Sequence, residues 1–100
     1  MAESGFSGFK GKSMKAVATD VAEGYVSVNP LFLKKFDKDM IKDLYDNLNK
    51  ALTGTRNEKV VLSDQPSLRT RNLKLQRLHN AMIILRNIAR EKRIPLEKNG

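Results

Sequence analysis

Arg69, Arg71, Lys74 and Arg77 follow closely on one another with no acid among them. Guanidinium and ammonium groups gathered in this way can hold a polyanion, because each donates hydrogen bonds to phosphate oxygens and neutralises their charge. The surrounding stretch, Gln65 to Arg93, has eight basic residues against one acid, Glu91, so it carries +7 of a whole-chain net charge of +8. Arg90, Lys92 and Arg93 stand where a helix would end, and the helix dipole alone accounts for cations there. The four earlier residues have no such explanation from their position. The usual alternative, a solvated helix face laced with i,i+4 ion pairs, lacks the acids it needs. Lys10, Lys12 and Lys15 add a second basic group near the N-terminus.

Three other constellations resemble chemistry and do not hold together. Asp39, Asp43 and Asp46 suggest a carboxylate or metal site, but Lys35, Lys42 and Lys50 are interleaved at four-residue spacing and make them surface ion pairs. Gly5 to Ser13, GFSGFKGKS, approaches a phosphate-binding loop. The gap between its outer glycines is one residue too long, and the few residues before it leave no room for the strand that such a loop follows. His79 is the only histidine, with no acid or second ligand beside it to make a catalytic or metal site. It reads as a partly buried packing residue or a dimer contact. The chain has no cysteine, which removes thiolate ligands, disulfides and a cysteine nucleophile. The expectation is therefore a protein that is not an enzyme, with no cofactor, no metal and no small-molecule substrate.

The elements that must position the basic residues are read from periodicity. Residues 1–13 hold three of the six glycines and predict a flexible basic arm. In residues 14–28, Met14, Val17, Ala18, Val21, Ala22 and Tyr25 fit a short helix with Ser13 as N-cap and Gly24 as its stop. A strand at Tyr25–Val28 is the alternative. Asn29-Pro30 opens a helix expected to run to residue 53, with Asp37 as a possible restart and Thr53-Gly54 as its end. Its stripe is Leu33, Phe36, Met40, Ile41, Leu44, Leu48, Ala51 and Leu52. Phe32, Phe36 and Tyr45 lie on or beside that stripe, which makes them core rather than base-stacking groups. Val60-Val61-Leu62 is a candidate extended piece. About eleven residues separate Gly54 from Gln65, too many for the turn of a helix-turn-helix motif.

A second helix is predicted over 66–93, opened by Asp64-Gln65-Pro66-Ser67 and closed by Ile94-Pro95. Leu68, Leu75, Leu78, Met82, Leu85 and Ala89 form one apolar stripe, and Ala81, Ile84 and Ile88 form another beside it. One partner helix covers one stripe, so the second requires either the N-terminal segment or another copy of the chain. Arg69, Gln76, Asn80, Asn87 and Arg90 fall toward the opposite or flanking side, with Arg77 near Asn80 there too, and Arg mixed with Asn and Gln can bond phosphates and base edges.

The resulting expectation is an all-α protein. It is a small helical hairpin (30–53 and 66–93) with a short N-terminal element, completed by a homodimer through Leu75, Leu78, Met82, Leu85, Ala81, Ile84 and Ile88. Its divisions are an arm at 1–13, one helical domain at 14–96 and a tail at 97–100. No apolar run is long enough for transmembrane insertion. With no signal-peptide pattern, the sequence points to a cytoplasmic location. The expected function is a basic accessory or regulatory protein that binds nucleic acid through Arg69, Arg71, Lys74, Arg77, Lys10, Lys12 and Lys15. The competing expectation is an adaptor that acts by helix–helix assembly, with itself or with an acidic protein surface.

Overall fold

The computed structural model describes residues 13–59 and 63–96, and every regular element among them is helical. Helix α1 spans Met14–Glu23, α2 Pro30–Leu33, α3 Lys38–Arg56 and α4 Gln65–Glu91. The flexible arm, Lys10, Lys12, the Val60–Leu62 strand candidate and the tail at 97–100 lie outside the described residues.

Each helix begins on a side chain that takes up an orphan backbone N–H. Ser13 Oγ accepts from Ala16 N at 3.1 Å, Asn29 Oδ1 from Phe32 N at 2.8 Å and Asp37 Oδ1 from Met40 N at 2.8 Å. At α4, Asp64 Oδ1 accepts from Ser67 N at 3.4 Å, while Ser67 Oγ donates to Asp64 Oδ2 at 2.6 Å. The helix expected over 30–53 is therefore two. Asp37 is extended at φ −86°, ψ 178°, which breaks the chain after the single turn of α2 and restarts it as α3.

The far end of α3 also departs from expectation. It runs through Gly54 to Arg56 and stops at Asn57, whose N–H bonds to Thr53 O. Gly54 faces open space and takes no left-handed conformation, so its freedom to cap goes unused. Thr55, the next residue, is buried within the continuing helix.

Helices α1 and α4 end on the same device. Gly24, at φ +86°, sends its N–H to Val21 O while Tyr25 N bonds to Asp20 O. Arg93, at φ 58°, sends its N–H to Arg90 O while Ile94 N bonds to Ala89 O at 2.8 Å. Both are Schellman closures around a left-handed residue. The second uses arginine where glycine is cheaper, so α4 ends at Glu91, before Ile94-Pro95 is reached. Arg93→Gly relieves that strain against a smaller loss of unfolded-state rigidity. We expect it to raise stability by roughly 0.5–1 kcal/mol in a urea melt.

Tyr45 meets Arg86 and Arg56 meets Arg71, so α3 and α4 run antiparallel, as a hairpin requires. Helix α1 packs against both of them and makes the third wall of one core. Leu33, Ile41, Leu44, Leu48, Leu78, Leu85 and Val17 are its fully buried large side chains. Phe36 and Tyr45 are buried and Phe32 packs against them, as the stripe predicted, with the Phe32 and Phe36 rings 5.2 Å apart. The Tyr25–Val28 segment forms no strand.

The third wall changes the reading of the dimer seam. Leu78, Ala81, Met82 and Leu85 are already buried inside one chain. Leu75, Ile84 and Ile88 are half-buried against the same core. Of the two covers that the sequence allowed for the second stripe, the N-terminal segment packs on α4 as α1, and Ile84 and Ile88 stay half-buried. A second copy could reach the four buried residues only if the core opened. His79, expected to be a partly buried packing residue or a dimer contact, is exposed in the single chain and packs into no core.

Candidate polyanion-binding surface

Helix α4 is about 40 Å long at 1.5 Å per residue and presents two distinct sets of polar side chains. One set turns inward past the end of the apolar core. The other lies along the outer face.

The inward set contains three of the four basic residues singled out above. Arg71 Nη2 donates to Arg56 O, the last residue of α3, at 2.8 Å, and Arg71 Nε is buried without a hydrogen bond among the described residues. Lys74 Nζ lies 3.6 Å from Glu23 Oε2, at the last residue of α1. Arg77 Nη1 donates to Ala22 O in the last turn of α1 at 3.0 Å. Helix C-termini carry unsatisfied carbonyls and partial negative charge, which cations neutralise. Helix α1 has no basic residue in its own last turn. Its compensation comes from α4, across the fold.

A sequence signal for this arrangement exists in the register. Arg71 stands seven residues before Leu78, which stands seven before Leu85, and Lys74 stands four before Leu78 and seven before Ala81. At 3.6 residues per turn, these cations continue the buried stripe beyond the core. A cation there meets the ends of the neighbouring helices.

Arg69 and Lys15 remain exposed, Lys15 on the first turn of α1. Arg69 belongs to the outer face, together with Gln76, Asn80, Asn87 and Arg90, which the helical wheel had placed there, and Asn72, which it had not named. All six are exposed. Leu73 and Ile83, each 42% exposed, lie in the same row. The row contains no acid, and its amide and guanidinium side chains make no hydrogen bonds among the described residues. Asp46 and Lys50 pair at 3.2 Å on α3, as their spacing predicted. That pair marks the contrast: α3 neutralises its surface charge locally, and the outer face of α4 does not.

Comparison with protein families, with curated proteins and with solved structures finds no match to this chain. No helix among the described residues is long and apolar enough to cross a membrane.

Proposed function

We propose that this is a nucleic-acid-binding accessory or regulatory protein, of cytoplasmic location, whose contact surface is the outer face of α4. The observation that carries this reading is the continuous exposed row Arg69, Asn72, Gln76, Asn80, Asn87 and Arg90, free of acids and, among the described residues, of side-chain hydrogen bonds. Guanidinium groups at its two ends supply phosphate contacts, and the amides between them suit base edges. The net charge of +8 steers a polyanion toward the molecule as a whole. Arg71, Lys74 and Arg77 contribute to that field while they hold the helix ends, and the lysines Lys10, Lys12 and Lys15 extend it.

The test is fluorescence anisotropy with labelled duplex DNA and single-stranded RNA at about 50 and about 200 mM salt, where counterion release is most visible. Wild type is expected to bind at low salt and to weaken steeply. The Arg69→Gln, Arg90→Gln double variant removes two phosphate contacts at exposed positions. Its slope of log affinity against log salt should therefore flatten by up to about 2, at about 0.9 per contact. An unchanged slope would remove the outer face from the proposal.

A second reading rests on Leu73 and Ile83. With Arg69, Gln76, Asn80, Asn87 and Arg90 they recur at alternating spacings of four and three, the pattern of a coiled-coil seam with polar register positions. An adaptor would assemble with itself or with an acidic helix along this row, rather than along the buried seam. Light scattering over a dilution series separates the two: a monomer throughout, together with nucleic-acid binding, favours the first.

A further inference from the structure

Between the segment Gly24–Val28 and the middle of α4 lies a cleft of about 260 Å³. Val21, Val26 and Val28 give it an aliphatic wall, Ser27 stands at it, and Arg77 and Asn80 face it from successive turns of α4. Aliphatic and polar side chains thus share one hollow, and a small-ligand site combines the two. The polar groups here are open to solvent and have donors to spare. Arg77 gives one N–H to Ala22 O, which anchors the guanidinium, and its remaining donors have no acceptor among the described residues. The Asn80 amide has none either.

Tyr25 supplies a second, independent observation. It occupies the position after the left-handed residue in the Schellman closure of α1, where an apolar side chain ordinarily packs back on the last turn. Ile94, at the equivalent position of α4, does so and is buried. Tyr25 is 79% exposed. A tight backbone closure thus fixes an exposed aromatic residue in the chain between Gly24 and Val26, which line the cleft, while its own ring stands outside the lining. Such a ring is a stacking platform for an unpaired base.

We infer that this cleft, with Tyr25 beside it, takes one unpaired nucleotide of a single strand. The anchored Arg77 guanidinium holds its phosphate. The aliphatic wall and the Tyr25 ring take the base, and the Asn80 amide bonds the base edge. Asn80 also belongs to the exposed row, so the cleft opens beside the outer face of α4. The inference rests on the nucleic-acid reading above and makes that reading specific: single strands are preferred to duplex.

The test compares a labelled single-stranded oligonucleotide with the same sequence in duplex form, by anisotropy at about 50 mM salt. Tyr25→Ala removes the platform at a position too exposed to disturb folding, and Ser27→Trp fills the cleft from its rim. Each should weaken single-strand binding fivefold or more and leave duplex binding unchanged. Equal single-strand affinity in wild type and both variants overturns the cleft. If Arg69→Gln, Arg90→Gln still weakens both ligands in that case, the outer face survives without it. If wild type binds neither ligand at low salt, both proposals fall together.

Discussion

Leu85→Ala should lower the unfolding free energy by about 3 kcal/mol, within the 2–5 kcal/mol range of buried leucine truncations. Leu85 is fully buried in a single chain, in the same core as Leu78, Leu44 and Leu48. Removing its branched end leaves a cavity that three packed helices cannot collapse around without moving one another. A domain of this size has only about 5–15 kcal/mol in total, so the variant sits close to the margin. The measurement is a urea melt of wild type and variant at two protein concentrations well apart. The expected result is a lower midpoint that does not move with concentration. A seam between two copies would behave differently, because unfolding coupled to dissociation shifts with concentration. The experiment therefore asks directly whether this stripe belongs to the chain's own core.

The difficulty in reading that stripe from sequence lay in α1. The apolar arc of α4 is visibly too wide for one partner helix, and that much is legible from Leu78, Ala81, Met82 and Leu85 alone. What covers it is a matter of tertiary placement. A ten-residue helix has little stability of its own and forms because it packs. Residues 14–28 consequently gave an ambiguous local signal. The caps were legible because they are local: Ser13, Asn29, Asp37 and Asp64 bond three residues ahead. Gly54 misled for the converse reason, since a glycine permits a helix to end but does not compel it. The basic cluster divides the same way. Arg69, Gln76, Asn80, Asn87 and Arg90 were placed outward by the wheel and are exposed, whereas Arg77, placed beside Asn80 there, turns toward α1 instead. Arg71, Lys74 and Arg77 reach carbonyls and a carboxylate that lie on other helices. Sequence proximity had grouped residues that the fold uses for different ends.

The contact between Gly24 and Arg77 makes the second large prediction, and it links the fold to the cleft. A Cβ at Gly24 would meet Arg77 Cζ at 3.0 Å, Nη2 at 3.2 Å and Nε at 3.3 Å. The same residue is left-handed, at φ +86°. Gly24→Ala thus carries two costs. One is the intrinsic strain of a side chain in that conformation, about 1 kcal/mol. The other is the displacement of a guanidinium whose Nη1 is fixed to Ala22 O, and a hydrogen bond to a charged group is worth about 1.5 kcal/mol. We expect Gly24→Ala to lose about 2 kcal/mol in wild type, and only about 1 kcal/mol in an Arg77→Ala background, where no guanidinium is in the way. The coupling of about 1 kcal/mol is read from urea melts of the four proteins in a double-mutant cycle. Full additivity would mean that the guanidinium swings aside without loss and that its bond to Ala22 O holds nothing. In that event Arg77 would be a mobile cation rather than an anchored one, and the phosphate contact assigned to it in the cleft would lose its fixed geometry.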